Sequence, residues 1–175
     1  MGGYRDQLVR TATGTIVATV IGTMASTACA QSTPAEVRAL INPAITIANT
    51  APLNFGRVSA GVTAGNVSIA AGSGARSRTG GVTLLAGPSG RASFIVNGRP
   101  GGRVRITNQA APITLTRVGG GATMLVDRLT LQGARNRNLN GAGQATVNFG
   151  GRLRVAAGQQ QGLYSGTFTV TVDYL

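Results

Sequence analysis

The sequence predicts an all-β protein whose body is a single antiparallel β-sandwich. Short runs rich in valine, threonine and isoleucine recur along the chain, separated by glycine, asparagine and proline, which is typical of sandwiches and barrels. Several runs alternate apolar and polar residues, as in 103–107, and this pattern indicates strands with one buried and one solvated face. No stretch of twelve residues has the three-and-four apolar spacing of an amphipathic helix.

Each predicted strand is a run of β-favouring residues bounded by turn residues. Glycine-rich turns such as 71–74, 97–98, 100–102, 119–121 and 140–143 separate the runs. The predicted strands are 44–48, 53–58, 66–70, 81–85, 92–96, 103–107, 113–117, 123–131, 145–149, 152–155 and 164–174.

Residues 1–30 are predicted to be a secretory signal peptide. Arg5 and Arg10 form a basic start, residues 11–27 are uncharged and carry a short apolar run, and residues 28–30 form a small-x-small cleavage site. The run is short and threonine-rich for a membrane span, which needs about 20 mostly apolar residues. No later segment supplies a span, so the mature chain is expected to have none. The predicted signal peptide implies export through the inner membrane.

The only cysteine of the chain, Cys29, lies inside the predicted cleavage site. Its removal would leave a mature chain without disulfides or thiolate chemistry. The alternative is that Cys29 is kept as a lipidated N-terminus, although the three residues before it lack the usual leucine. Both interpretations stay open from the sequence.

Residues 31–50 are predicted to be an N-terminal arm ahead of a sandwich domain that spans residues 51–175. Two prolines keep the arm extended. Ile45 and Ile47 are two residues apart and therefore share one face of a strand, and Leu40 precedes them. The arm is thus a candidate donor strand that could pair in its own domain or in a neighbour's.

The residue types needed for catalysis are scarce. The predicted mature chain has no histidine and no cysteine, and its only acids are Glu36, Asp127 and Asp173. Acid–base catalysis, activated serine nucleophiles and zinc or calcium sites all depend on those residue types. We therefore expect no enzyme, no metal site and no cofactor.

Arginine supplies all the basic charge. The predicted mature chain has 14 arginines against three acids, a net charge of +11, which favours anionic polymers or lipid headgroups as partners. The alternative interpretation is that these arginines only keep a strand-rich surface soluble. Specific nucleic-acid binding is not expected, because few aromatic residues are left as base-stacking platforms and export separates the chain from cytoplasmic nucleic acid.

The last predicted strand is the most regular in the chain. Phe168, Val170, Val172 and Tyr174 alternate with polar residues up to the penultimate position. An unpaired edge strand of this kind invites pairing with another chain. We therefore predict that pairing with an outside strand is its role.

Three stretches of the chain resemble a known family. Pro-Leu-Asn-Phe-Gly at 52–56 and the stretches 149–158 and 162–174 resemble the bacterial family known as the domain of unknown function 4402. The C-terminus is also similar to spore-coat-U-type subunits of archaic chaperone–usher pili. The resemblance covers residues 52–175.

The resemblance implies an immunoglobulin-like, pilin-like sandwich that lacks its final strand. In such subunits a periplasmic chaperone and then the N-terminal arm of the next subunit lend the missing strand. A glycine fourteen places from the end and a penultimate tyrosine are typical, and Gly162 and Tyr174 match them. The implied acceptor strand comprises Gly162, Tyr164, Phe168, Val170, Val172 and Tyr174, and the donor residues are Leu40, Ile45 and Ile47. Tyr164 could tie its hydroxyl to upstream backbone or serve as a plain core aromatic.

The chain is therefore expected to be an exported structural or adhesive subunit of a bacterial cell-surface filament. Its expected partners are identical or related subunits, with a periplasmic chaperone and an outer-membrane usher during transit. The alternative is a self-contained secreted or surface β-sandwich domain that binds anionic polymers such as polysaccharide, lipopolysaccharide or extracellular DNA. The sequence leaves open whether the arm inserts in cis or in trans.

Overall fold

A computed structural model describes residues 38–175. The predicted signal peptide and the first seven residues of the predicted arm lie outside these residues. The chain divides into two compact units, Met1–Ala39 and Leu40–Leu175, and the fold below is that of the second unit. The described residues contain no helix, and hence none that is long and apolar enough to cross a membrane.

The second unit is built from eleven antiparallel strands, as the alternating sequence pattern predicts. In β5, for example, Val104 and Ile106 are fully buried while Arg103, Arg105 and Thr107 are exposed. The strands are β1 (Thr46–Ala51), β2 (Val58–Ile69), β3 (Arg76–Leu84), β4 (Ala92–Asn97), β5 (Arg103–Asn108), β6 (Ile113–Arg117), β7 (Thr123–Leu131), β8 (Asn136–Asn138), β9 (Gln144–Val155), β10 (Tyr164–Ser165) and β11 (Val170–Tyr174).

The strands form one large, curled sheet and one small sheet. The large sheet has the order β1-β4-β9-β7-β6-β10, with β2 also pairing with β9 and β3 pairing with β2. The small sheet has the order β11-β5-β8. The predicted all-β, antiparallel, sandwich-like fold is therefore confirmed.

Two apolar clusters make up the core. One lies inside the curl of the large sheet and centres on Phe55, Val67 and Leu153. The other lies between the two sheets, where Phe149 of β9 packs with Val104 and Ile106 of β5. Partly buried residues that pack on both clusters, among them Phe168, join them into one interior.

Several predicted strands have other limits in the structure. β2 begins at Val58 and β3 at Arg76, well before the predicted starts at 66 and 81, and β8 falls outside the predicted strands. The predicted strand at 53–58 is wrong, because residues 52–57 cross the end of the sheet with only a single bridge between Asn54 and Gly90. The predicted break at 150–151 is also wrong, because β9 runs through both glycines. A Cβ on Gly150 would collide with the backbone of 69–71, so the glycines allow a close crossing rather than ending the strand.

The last predicted strand, 164–174, is two strands in the structure. β10 pairs with β6 of the large sheet, whereas β11 pairs with β5 of the small sheet. The chain therefore changes sheets between Ser165 and Val170. Similarly, β1 crosses the predicted boundary between arm and domain at residues 50 and 51.

Candidate functional site at the edge of the last strand

The outer edge of β11 is open. Within residues 38–175 this strand pairs only with β5. The amide of Gln109 donates to the carbonyl of Thr169 (2.9 Å), and that of Leu175 donates to the carbonyl of Arg103 (3.0 Å). Odd-numbered residues of the strand therefore bond to β5. The backbone groups of Val170, Val172 and Tyr174 consequently point away from β5, along the open edge.

The side chains of the same three residues turn inward. Val170, Val172 and Tyr174 are half-buried and pack on the core cluster between the sheets, together with Phe168 and Ile45. The predicted apolar row thus lies on the core side of the strand that has the open edge.

Strand β1 lies on the other side of this opening. Ile47 is opposite the fully buried Val96 of β4, so its side chain faces the interior, yet it remains 37% exposed. Ile45 packs on the core cluster, whereas Leu40 lies ahead of the strand and is 79% exposed. The structure therefore brings two of the three predicted donor residues to the site and leaves Leu40 apart. We call the opening between β1 and β11 the seam.

The hydroxyl of Tyr174 closes one end of the seam. It donates a hydrogen bond to the carbonyl of Pro43 (2.9 Å) and accepts one from the amide of Arg99 (2.7 Å). A Cβ on Gly98 would lie 2.6 Å from this hydroxyl, and one on Gly102 would lie 3.1 Å from the ring. The two glycines thus leave the space that the tyrosine occupies, and one side chain ties the arm to the turn before β5.

The other end of the seam opens into a large cavity, which we call the groove. Its volume is about 700 Å³, and Asn49 of β1 and Phe168 both line it. Apolar side chains of β6, β7 and β9 also line it: Ile113, Leu115, Met124, Val126 and Leu153. The groove therefore lies next to the seam, at Asn49 and Phe168.

The 52–56 motif forms one wall of the groove. The side-chain carbonyl of Asn54 accepts a hydrogen bond from the amide of Gly56 (2.8 Å), and Gly56 has a φ of +73°, which favours glycine. The guanidinium of Arg76 donates to the carbonyls of Phe55 (3.2 Å) and Arg57 (3.3 Å). These contacts hold a non-strand segment against the sheet and explain the residue types of the motif.

Gly162 and Tyr164 line the opposite wall. Gly162 has a φ of +149°, and a Cβ there would lie 2.6 Å from Nε of Arg117. The hydroxyl of Tyr164 donates to the backbone carbonyl of Gln160 (2.6 Å) and accepts from the side-chain Nε2 of Gln159 (2.8 Å). Tyr164 thus makes the upstream backbone bond considered above while its ring packs on the core inside the curl.

The structure therefore divides the predicted acceptor residues into two groups. Gly162 and Tyr164 belong to the groove, Val170, Val172 and Tyr174 belong to the seam, and Phe168 contacts the interior of both.

Sequence reasoning missed Phe94, whose ring stacks edge-to-face on those of Phe149 and Phe168 with centroids 5.8 and 6.0 Å apart. Its central place in the alternating strand 92–96 was the available signal.

Polar groups accompany the apolar side chains of the site. They include the side chains of Asn49, Asn54 and Arg57 in the groove, the tyrosine hydroxyls, and the backbone groups along the edge of β11. Within residues 38–175, no group of three histidine, cysteine or acidic residues comes together. The arrangement offers main-chain hydrogen bonds along one edge and apolar pockets beside it.

Comparison with known proteins agrees with the first of the two resemblances. No curated protein and no solved structure gave a significant match to the chain. One family model matches residues 45–174, from the arm to the penultimate tyrosine. The chain therefore belongs to the family described as Domain of unknown function (DUF4402).

Proposed function

We propose that this chain is an exported structural or adhesive subunit of a cell-surface filament that assembles by β-strand donation. The observation that carries the proposal is the open edge of β11. Its backbone groups lack a partner strand within the described residues, and its apolar side chains lie beside an uncovered interior. A strand from another copy, seated in the seam, would satisfy both deficits.

The expected binding energy has two sources. Main-chain hydrogen bonds to the edge of β11 contribute roughly 0.5–1.5 kcal/mol each. Apolar donor side chains that enter the interior contribute up to about 1.5–3 kcal/mol each, because they leave water and also cover the exposed part of Ile47. Side-chain alternation fixes the register, since a slip of one residue would turn the apolar face outward.

The arm of a neighbouring copy is the proposed donor. In the structure β1 pairs with β4 of its own chain, but five of its six residues are exposed, so it is a lightly held edge strand. Release of this arm into the seam of another copy would join subunits head to tail. Such pairing does not close on itself and therefore produces an open filament. A periplasmic chaperone and an usher are the proposed partners before assembly.

A synthetic peptide of residues 43–51 tests the proposal on the full chain. Hydrogen exchange should show new protection of the amides of Val170, Val172 and Tyr174 when the peptide is added. The matched control is the same peptide carrying Ile45→Asp and Ile47→Asp, which should give none. Absence of added protection along β11 with the native peptide would contradict strand donation at the seam.

Assembly provides the second measurement. A filament subunit should form SDS-resistant, heat-labile oligomer ladders whose length grows with concentration. A single species on size exclusion at micromolar concentration would instead favour a self-contained surface domain. The pairing of β1 with β4 in the same chain is the observation that favours this second candidate.

A further inference from the structure

The arginines within residues 57–154 fall into three groups. Many of them hold the chain together. Arg137, for example, donates to the carbonyls of Gln132 (2.6 Å) and Thr146 (3.1 Å), and burial lowers its pKa. The arginines that donate to backbone carbonyls are Arg76, Arg78, Arg91, Arg117 and Arg137.

Two further arginines share one carboxylate. On the outer face of the large sheet, Asp127 accepts two hydrogen bonds of 2.8 Å from Arg152, and Arg154 lies 3.9 Å from the same carboxylate. The bidentate pair neutralises the charge of Arg152, whereas Arg154 makes only the longer contact.

Within residues 57–154, six arginines reach neither a carboxylate nor a backbone carbonyl: Arg57, Arg99, Arg103, Arg105, Arg128 and Arg135. Four of them cluster around the small sheet. Arg103 and Arg105 lie on β5. Arg99 lies in the turn before β5, and its backbone carbonyl accepts a hydrogen bond from the amide of Gly102. The backbone carbonyl of Arg135 accepts one from the amide of Ile106. Four of these six arginines therefore lie around the small sheet, where the guanidinium of Arg135 donates to the side-chain oxygen of Asn108 (3.3 Å).

The outer face of the small sheet presents these charges on a polar platform. Because Val104 and Ile106 are buried, Arg103 and Arg105 point outward, roughly 7 Å apart along the strand. Asn138 is opposite Arg103, and Asn136 is opposite Arg105. All outward residues of the three strands are exposed: Arg103, Arg105, Thr107, Asn136, Asn138, Thr171 and Asp173.

We infer that this outer face of the small sheet binds an acidic polysaccharide. Guanidinium groups pair with carboxylates through two parallel hydrogen bonds, and asparagine and threonine side chains donate to and accept from sugar hydroxyls. The outward positions of these three strands carry no aromatic side chain, so the face lacks the stacking platforms that single-stranded nucleic acids use. The chemistry therefore favours a chain of uronic acids over a nucleic acid.

Asp173 is the one acidic side chain among these outward residues. It is opposite Arg105 across the β5–β11 pair, so its negative charge weakens the attraction of this face for an anionic ligand. The face lies on the opposite side of β11 from the apolar row. Binding there is consequently independent of strand donation at the seam.

Isothermal titration of the full chain with alginate oligosaccharides tests the inference. The double variant Arg103→Gln, Arg105→Gln should weaken binding about tenfold, since two exposed ion pairs are lost. The matched control, Arg57→Gln with Arg128→Gln, removes the same charge elsewhere and should change affinity less than about twofold. Equal weakening by both double variants would overturn the inference, because it would mean that net charge alone attracts the polymer.

A third variant gives a gain in binding that misfolding cannot mimic. Asp173→Asn should tighten alginate binding severalfold because it removes the negative charge opposite Arg105, and neutral dextran should bind none of the variants. An unchanged or weaker affinity of Asp173→Asn would contradict the assigned face, as would tighter binding of duplex DNA than of alginate at the same ionic strength. The peptide of residues 43–51 should not compete with alginate, so failure here and failure of strand donation are distinguishable.

Discussion

Substitution of Tyr174 by phenylalanine should loosen the arm selectively. The change removes only the hydroxyl that accepts from the amide of Arg99 and donates to the carbonyl of Pro43, which is 131 residues away in the chain. Ring packing on the core and over the glycines at 98 and 102 stays unchanged. The perturbation therefore tests the link between the last strand and the arm, and not the packing of the core.

The magnitude follows from the exposure of these bonds. Each hydrogen bond contributes roughly 0.5–1.5 kcal/mol to the free energy of unfolding, and the low end applies because water reaches both groups. The two bonds together are therefore worth about 1 kcal/mol, which lowers Tm by about 3–5 °C for a domain of this size. If the loss is concentrated in local opening of the arm, the amides of β1 should exchange about fivefold faster.

The matched control is Tyr164→Phe. It also removes a hydroxyl with two hydrogen bonds, to Gln160 and from Gln159, but it does not touch the arm. Both variants should lower Tm by similar amounts, whereas only Tyr174→Phe should speed hydrogen exchange in β1. Equal exchange rates of β1 in the two variants would show that the hydroxyl of Tyr174 does not hold the arm.

Two further predictions concern the core and the charged pair. Phe149→Ala should lower the free energy of unfolding, measured by urea denaturation, by about 3–5 kcal/mol, because the ring is fully buried against two other phenylalanines. Leu163→Ala, at a position 70% exposed, should change it by less than about 0.5 kcal/mol, and similar losses in both would contradict the described core. The hydrogen bond from Arg152 lowers the pKa of Asp127, so its stabilising contribution is present above the unfolded carboxyl's pKa of about 3.9 and is lost as pH falls through the lower folded pKa. Asp127→Asn should remove that acid-dependent loss, and an unchanged stability profile between pH 5 and pH 2 would refute the assignment.

The limits of several strands were predictable because their signal is local. β6 and β7 have the predicted limits, and β5 extends only one residue further. In each of them, alternating burial repeats every two residues, and turn residues bound the run. The same signal identified the apolar row of β11 and the strand character of the arm.

The errors lie where a distant segment decides the local structure. Glycines 150 and 151 are typical of a turn, yet β9 passes through them because the backbone of 69–71 crosses there. The segment 53–58 alternates like a strand, but Gly56 and the bonds from Arg76 bend it across the end of the sheet. The residues next to these two segments in the sequence do not indicate which distant segment contacts them.

By itself, the amino-acid sequence determined the all-β class, the antiparallel alternation, the family and the residues of the apolar terminal row. Only the tertiary structure decided that the chain changes sheets after Ser165, that the outer edge of β11 has no partner strand within residues 38–175, and that Tyr174 bonds to Pro43. The reason is physical: alternation reports which face of a strand is buried, whereas the partner of an edge depends on contacts between residues far apart in the chain.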